Sequence, residues 1–355
     1  MKVFVTTLLL LLVVSHLEGR SAPYPNSSTI LDVSFDFSTH KSLCPGSDNW
    51  AITWSNDNHQ YATWGDGGGF GGSNSDGRVS LGYARIEGNS PGYTGYNVWG
   101  GFSAENTAQF GGKSYGIISI GGILYSWVSP GSGLTSYDEA ALYRSTNKGA
   151  SWTKAGWKYD KADGVIMPTI LNFGKDYADA RDNYVYHYFI NMKRSSGGLS
   201  VHKPGEIFLV RVDKNRIFDS KSDYEWFSGT SSTPSWTTNF SNKKPVFKDS
   251  NGVGWCISVS YNAGLKRYIL CTEHTQSIKG NLGIFEAPEP WGPWKTVGYY
   301  SNWQSTNSTF FWNFSNKWMR ADGRKFTFIF TGTGVHDSWN TVEGTFTTSP
   351  PATVK

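Results

Sequence analysis

The chain has 355 residues and a formal net charge of only +4, from 32 Lys and Arg against 28 Asp and Glu. Because no block of basic residues concentrates this charge, neither nucleic acid nor an anionic membrane surface is an expected partner. The 16 Trp, 19 Tyr, 21 Phe and 41 Gly predict many aromatic rings and many tight turns, as in a large β protein.

Residues 1–22 have the pattern of a secretory signal peptide. Lys2 precedes a mostly apolar run at 3–14, and small residues follow at Ser21 and Ala22. No later segment has the roughly 20 apolar residues that a transmembrane helix requires. We therefore expect an extracellular protein in which residues 23–355 form a single domain.

The next segment, SDNWAITWSNDNHQYATWGDGGGFGG at residues 47–72, predicts a β-hairpin. Alternating residues on both sides of the polar turn 56–58 give two strands. Asp48 then lies at the start of the first strand and Asp66 at the end of the second, so antiparallel pairing brings both to one edge. The alternative is that each aspartate only caps a turn.

The glycine-rich part of this segment, WGDGGGFGG at residues 64–72, has two interpretations. It lacks the Lys-Ser/Thr of a phosphate-binding loop and no helical pattern follows it, so a phosphate site is not expected. Glycine supplies positive φ in a tight hairpin. A bare backbone would also let a polymer lie close to Asp66 at the mouth of a sugar-binding cavity.

Strand patterns continue along the chain, separated by Gly- and Asn-containing turns. The strand-like stretches are Tyr115 to Ile120, Ile123 to Val128, Tyr184 to Met192, Ile207 to Val212, Trp255 to Ser260, Tyr268 to Thr272 and Lys325 to Phe330. A weak repeat of about 65 residues predicts an all-β, five-bladed β-propeller. The predicted blades are roughly 30–100, 101–157, 158–238, 243–297 and 303–348. Six blades, or a β-sandwich with an appended β domain, are the alternatives.

One local motif favours blades. The sequence from Ser145 to Trp152 reads Ser-x-Asn-x-Gly-x-x-Trp and resembles the Asp-box turn of sialidase-type propellers, with Asn147 where Asp is usual. That turn joins the outer strands of a blade and has a structural role, so it does not imply sialidase chemistry.

The three cysteines cannot all pair within the chain. If residues 256–271 fold as a hairpin about a turn at 263–264, Cys256 lies opposite Cys271, and a cross-strand disulfide is expected in an oxidising compartment. Two buried thiols are the alternative, and Cys44 is left over. Four Asn-x-Ser/Thr sequons agree with export and predict glycosylation. They begin at Asn26, Asn239, Asn307 and Asn313.

In a propeller, ligands usually bind at one mouth of the central channel, where Asp48 and Asp66 are expected to meet. Glycoside cleavage requires two carboxyl groups, one of which donates a proton while the other activates water or attacks the sugar. Burial against Trp50, Trp64 or Phe70 would keep one of them protonated. The same three rings are predicted to contact the substrate.

Further candidates for the mouth follow from their places beside strands. Asp163 precedes the apolar run 165–171, His274 follows Glu273 at the end of a strand, and Asp337 precedes Trp339. Asp163, His274 and Asp337 are predicted to bind substrate, and satisfied structural contacts are the alternative. No cofactor is expected. No metal-ligand motif occurs, although the scattered Asp and Asn residues are compatible with a channel Ca²⁺. The hydrolase elbow Gly-x-Ser-x-Gly is also absent.

Three segments resemble a widespread family of secreted five-bladed β-propellers, long known only as a domain of unknown function. They are residues 47–72, APEPWGPW at 287–294 and DSWNTVEGTF at 337–346. Some bacterial members are endo-D-arabinanases, which cut the D-arabinofuranan of mycobacterial cell walls. The resemblance implies five blades, a polysaccharide substrate and a catalytic pair of early aspartates, which by position are Asp48 and Asp66.

The sequence therefore predicts a secreted glycoside hydrolase that acts on a furanose-containing or other polysaccharide through Asp48 and Asp66. A non-catalytic carbohydrate-binding propeller, with the same pocket, is the alternative from another class. A sialidase would need three converging arginines, and the arginines of this chain are scattered.

Overall fold

The computed structural model describes residues 21–130, 137, 139–192, 199–306, 308–333 and 335–350. Residues 1–20 of the predicted signal peptide and the sequon residue Asn307 lie outside these ranges. Within them, no helix is long and apolar enough to cross a membrane. The regular structure of the described ranges consists of β-strands and short 3-10 helices. The 3-10 helices are Lys161–Asp163, Lys175–Tyr177, Lys221–Asp223, Phe240–Asn242 and Trp303–Ser305.

The strands form five antiparallel sheets, which are the blades. Strand β1 is Ile30–Leu43. The first blade contains β2 (Ile52–Trp54), β3 (Gln60–Gly65), β4 (Leu81–Glu87) and β5 (Thr94–Trp99). The second contains β6 (Lys113–Ile120), β7 (Ile123–Ser129), β8 (Ala140–Ser145) and β9 (Thr153–Tyr159).

The third blade contains β10 (Val165–Ile170), β11 (Tyr184–Asn191), β12 (Gly205–Asp213), β13 (Glu225–Phe227), β14 (Trp236–Thr237) and β15 (Pro245–Asp249), which pairs with β12. The fourth contains β16 (Ser258–Asn262), β17 (Arg267–Glu273), β18 (Leu282–Ala287) and β19 (Lys295–Tyr299). The fifth contains β20 (Phe310–Met319), β21 (Lys325–Thr333), β22 (Val335–Thr348) and, at its outer edge, β1.

The first strand of each blade lies on the inside of the ring. Strand β2 contacts β6, β6 contacts β10, β10 contacts β16, β16 contacts β20, and β20 contacts β2 again. These contacts close a ring of five inner strands around a central channel. The predicted all-β, five-bladed, single-domain propeller is therefore confirmed.

The first predicted blade needs a correction, because β1 does not belong to it. Strand β1 pairs with β22, with Val33 opposite Phe346, so residues 30–43 complete the fifth blade. Both chain ends of the propeller thus share one sheet. The half-exposed pattern of β1 fits the outer edge of any blade, and the sequence alone therefore does not identify its partner.

The predicted turn of the Ser145–Trp152 motif joins β8 to β9, the two outer strands of the second blade. Asn147 Oδ1 accepts hydrogen bonds from the Ser145 hydroxyl at 2.9 Å and the Ser151 backbone N–H at 3.0 Å. Gly149 has a φ of 91° and donates its N–H to Ser145 Oγ at 2.8 Å. Trp152 packs against the Tyr83 ring of the first blade, with centroids 4.1 Å apart.

The predicted disulfide does not form, and all three cysteines are free, buried thiols. The hairpin exists, but its turn covers residues 263–266 instead of centring on 263–264. This shift pairs Cys271 with Ser258, two residues beyond Cys256. A displacement of one residue in the turn centre therefore separates the two thiols.

The sequons differ in accessibility. Asn26 and Asn239 are exposed. Asn313 is only 4% exposed, because it lies in the inner strand β20 and donates its amide to the Trp50 backbone carbonyl at 3.0 Å. Glycosylation at Asn313 is therefore a wrong prediction for the folded chain.

Candidate active site at the channel mouth

The N-terminal hairpin folds as the sequence predicts and brings Asp48 and Asp66 together. Strands β2 and β3 pair with Ile52 opposite Ala62. Beyond them, Asp48 and Gly65 exchange two backbone hydrogen bonds, of 2.8 and 2.7 Å. Because Asp66 follows Gly65 directly, the two aspartates are neighbours at one mouth of the channel.

The Asp48 carboxyl group lies among protein atoms, although the residue keeps a small exposed area. Burial raises its pKa well above the usual value, and the nearby charges of Asp337 and Asp66 act in the same direction. The cations Lys113 and Arg78 oppose this shift without cancelling it. The protonated form of Asp48 is therefore favoured over a wider pH range than for an ordinary aspartate.

Asp66 has different surroundings. Its Oδ1 atom lies 2.7 Å from the ammonium group of Lys113 and 3.4 Å from the Arg78 guanidinium. The Lys113 side chain is 7% exposed and also donates to the Ser80 carbonyl at 2.7 Å, whereas the Asp66 side chain is 33% exposed. A negative charge on Asp66 is thus paired with a held cation and remains accessible to a ligand.

Beneath the two aspartates lies a second layer of buried polar groups from other blades. Cys256 Sγ is 3.6 Å from Asn49 Oδ1. The Tyr115 hydroxyl has no hydrogen-bond partner in the described ranges, and its ring packs edge-on against Trp255 with centroids 5.6 Å apart. Glu273 is fully buried, and this burial raises its pKa to about 8 despite a hydrogen bond from the Ile278 N–H.

The predicted stacking faces of Trp50 and Trp64 are not available to a ligand. Both side chains are 0% exposed, and they stack on each other with ring centroids 5.6 Å apart. Trp339 also packs against Trp50 in an edge-to-face contact, with ring centroids 5.1 Å apart. Their predicted role in substrate binding is therefore corrected to a structural one. Phe70 is partly exposed and remains a candidate for a ligand contact.

The glycines of this region make room for the protein's own atoms, not for a polymer. A Cβ atom on Gly69 or Gly82 would lie 2.6 or 2.2 Å from the Trp64 ring. The loop is held by Asn97, whose amide donates to the carbonyls of Gly68 and Phe70 at 3.1 and 2.9 Å. Within residues 64–72, the expectation that bare backbone serves ligand approach is therefore wrong for Gly69.

Of the remaining candidates, only Asp337 lies near the pair, as its effect on the pKa of Asp48 indicates. His274 is fully buried, stacks on Tyr299 with centroids 3.8 Å apart and contacts Thr275 Oγ1 at 2.9 Å. Asp163 Oδ2 accepts the Asp160 backbone N–H at the start of a 3-10 turn, and its carboxylate accepts two hydrogen bonds from Lys221, of 2.7 and 2.8 Å. Both residues thus have structural partners, and their prediction as substrate ligands is corrected.

Two cavities of the described surface lie away from the aspartates. One of about 510 Å³ opens on the fifth blade beside Asp36 and Glu343, but both of these carboxylates are exposed. Another, of about 760 Å³, lies between the second and third blades beside Arg181. Chemistry therefore identifies the candidate site, since the buried Asp48 carboxyl group lies beside Asp66, which an ammonium group contacts.

Sequence reasoning missed Lys113, Asn49 and Tyr115. A usable signal existed for Lys113, because it is a charged residue at the start of the apolar inner strand β6, just as Asp48 precedes β2. Asn49 and Tyr115 carry no such signal, since their roles depend on contacts between blades. Within the described ranges, no three His, Cys, Asp or Glu side chains come together as metal ligands.

Comparisons with solved structures agree with the propeller fold. A protein from Bacteroides ovatus, described provisionally as a hydrolase, aligns with a TM-score of 0.51 and 10% identity. The alignment covers 85% of this chain and 87% of that protein. The GH43_1 enzyme from Xanthomonas citri aligns with a TM-score of 0.50 and 10% identity, over 88% and 94%. At this identity the likeness concerns the fold alone.

No curated protein matches the chain in sequence. Residues 115–310 match the family described as "Domain of unknown function (DUF4185)", in agreement with the resemblance inferred from the sequence. Since this match extends over more than half of the 355 residues, the chain belongs to the DUF4185 family.

Proposed function

We propose that the protein is a glycoside hydrolase in which Asp48 and Asp66 form the acid/base pair. One observation carries this proposal: two neighbouring carboxyl groups at the channel mouth have different surroundings, since the Asp48 carboxyl group is buried, whereas the Asp66 side chain is 33% exposed and lies 2.7 Å from the Lys113 ammonium group. Cleavage of a glycosidic bond requires such a difference, because one group donates a proton while the other acts as a base or nucleophile.

Asp48 is the proposed acid. Its raised pKa keeps a proton available, which it donates to the glycosidic oxygen as the bond to the leaving sugar breaks. Asp66 is the proposed base or nucleophile, since it is charge-paired with Lys113 and partly exposed. It either removes a proton from the attacking water or bonds to the anomeric carbon, according to the separation of the carboxyl groups.

The proposed substrate is an extracellular polysaccharide that contains furanose sugars, such as an arabinofuranan. The resemblance of residues 47–72, 287–294 and 337–346 to secreted endo-D-arabinanases supports this class. The signal-peptide pattern and the exposed sequons at Asn26 and Asn239 support export.

The test is sugar release from a panel of polysaccharides that includes mycobacterial arabinogalactan. We expect Asp48→Asn and Asp66→Asn each to lower turnover by at least about 100-fold, because each removes one half of the acid/base pair. Asp57→Asn is the matched control, since Asp57 lies at the opposite turn of the same hairpin and bonds to Tyr61. Unchanged turnover in either site variant, with folding verified by circular dichroism, would refute the assignment.

A carbohydrate-binding propeller without catalysis is the second candidate. It is favoured by the free Oδ2 atom of each aspartate, which can accept a sugar hydroxyl, since the described hydrogen bonds and ion pairs of both side chains involve Oδ1 only. If the wild-type protein binds a glycan of the panel but releases no sugar, and both Asn variants lose that binding, this candidate replaces the hydrolase.

A further inference from the structure

We propose that Asn49 and Cys256 are positioning residues that orient the Asp48 carboxyl group and leave Oδ2 as the oxygen that carries its proton. This inference rests on the proposed function of Asp48 as an acid. It concerns how the chain prepares that acid for its task, and it names two residues from different blades.

The contacts form a short chain. Asn49 Nδ2 donates to Asp48 Oδ1 at 2.8 Å, and the Cys256 thiol lies 3.6 Å from Asn49 Oδ1. Asn49 and Cys256 are each only 1% exposed, so water has little access to the Asn49 amide. Cys256 precedes β16 of the fourth blade, whereas Asp48 and Asn49 precede β2 of the first. The contact therefore crosses the channel.

The thiol determines which way the Asn49 amide points. An amide has one donor end and one acceptor end, and a protonated thiol can donate to the acceptor end. Burial raises the pKa of Cys256 well above its usual value, and the charges of Glu273 and Asp48 add to this effect. The Cys256 thiol thus stays protonated and faces Asn49 Oδ1, which leaves Asn49 Nδ2 directed at Asp48.

The amide in turn determines where Asp48 holds its proton. Because Oδ1 accepts the hydrogen bond from Asn49, the proton of the neutral acid belongs on Oδ2. No donor in the described part of the chain reaches Oδ2. Four charged groups act on Asp48: Asp337 and Asp66 raise its pKa, and Lys113 and Arg78 lower it. None of the four is the donor to Oδ1.

The backbone at Asn49 is consistent with this role. Its φ is 57°, in the left-handed region that Asn tolerates better than most other non-glycine residues. Such a conformation costs free energy and persists only where the surrounding structure requires it. Here it turns the amide between Asp48 and Cys256, and the Asn49 carbonyl still accepts the Ala51 N–H at 3.0 Å.

The test compares Cys256→Ala with Cys256→Ser, which keeps a donor. Without the donor, the amide can reverse and present its oxygen to Asp48, which favours the protonated acid. We therefore expect Cys256→Ala to lower kcat about tenfold with little change in KM, because the proton is misdirected. The basic limb of the pH–rate profile should move to higher pH. Cys256→Ser should restore both kcat and the position of this limb. Cys271→Ala, which removes a buried thiol outside this chain of contacts, is the matched control.

Titration of Asp48 separates this inference from the proposed function. Carbon-13 NMR of labelled aspartate, with Asp48→Asn to assign the signal, reports the Asp48 pKa even if no glycan is cleaved. The expected result is a higher pKa in Cys256→Ala than in Cys256→Ser and wild type. Asn49→Gly, which accepts the left-handed backbone and removes the amide, should also raise it and provides the test if Cys256→Ala does not fold. An unshifted Asp48 signal in the folded variants would overturn the inference.

Discussion

Gly65 is the residue on which the geometry of the aspartate pair depends most directly. Its backbone pairs with Asp48, and the space that a side chain would occupy is filled by groups of the site. A Cβ atom there would lie 2.5 Å from Lys113 Cδ, 2.6 Å from Asp48 Oδ1 and 2.9 Å from Asn49 Nδ2. All three distances are shorter than van der Waals contact, so glycine is required by the site itself.

Gly65→Ala should therefore damage activity more than stability. The methyl group would displace the Asp48 carboxyl group and the Lys113 side chain together, and a displacement of about 1 Å at a catalytic group can cost about 100-fold in rate. Steady-state kinetics on the best substrate of the panel would measure this loss. Gly156→Ala is the control, because no atom lies within 4 Å of the position of its added Cβ. Equal rates for the two variants would contradict this account of Gly65.

At the scale of elements, local hairpins were predictable because their turn residues act within a few positions. The hairpin of β2 and β3 and the Asn147 turn both follow from such signals. The same reasoning failed for Cys256 and Cys271, since a hairpin's register depends on the length of its turn. It also failed for Asn313, whose sequon carries no information about its burial in β20.

The Asn147 turn offers a test of the second blade. Asn147→Ala removes the acceptor for the Ser145 hydroxyl and the Ser151 N–H, so we expect a loss of about 1 kcal/mol in the free energy of unfolding. Asn147→Asp keeps both acceptor contacts and should retain most of the stability. Chemical denaturation of the three proteins would measure the difference. An alanine variant as stable as wild type would show that the hairpin does not need these bonds.

At the scale of the whole molecule, the mouth is assembled from four blades. Asp48 and Asp66 come from the first, Lys113 from the second and Cys256 from the fourth, and Asp337 comes from the fifth. The aspartate pair could be predicted because one hairpin holds both residues. The other contributors are distant in sequence and meet only because the ring closes, so no local pattern reveals them.

Burial of Glu273 in this assembly makes the stability of the whole propeller depend on pH. Its pKa is about 8 in the folded chain, against an ordinary value of 4.5. Between these values the folded chain holds a proton that the unfolded chain has lost, so the free energy of unfolding decreases as pH rises. One such group contributes a slope of up to about 1.4 kcal/mol per pH unit. The contribution is complete below pH 4.5 and is lost as pH rises through about 8.

Glu273→Gln removes the titration and keeps an oxygen that can accept the Ile278 N–H. We expect the variant to gain stability relative to wild type progressively from about pH 4.5 to pH 8, because only wild type must then ionise a buried carboxyl group. Thermal and urea unfolding at half-unit steps of pH would measure this. The control is Glu343→Gln, at an exposed position in β22. Its free energy of unfolding should change with pH in the same way as that of wild type. If the free energy of unfolding of Glu273→Gln also follows that of wild type across this pH range, Glu273 is not the group whose burial makes stability fall with pH.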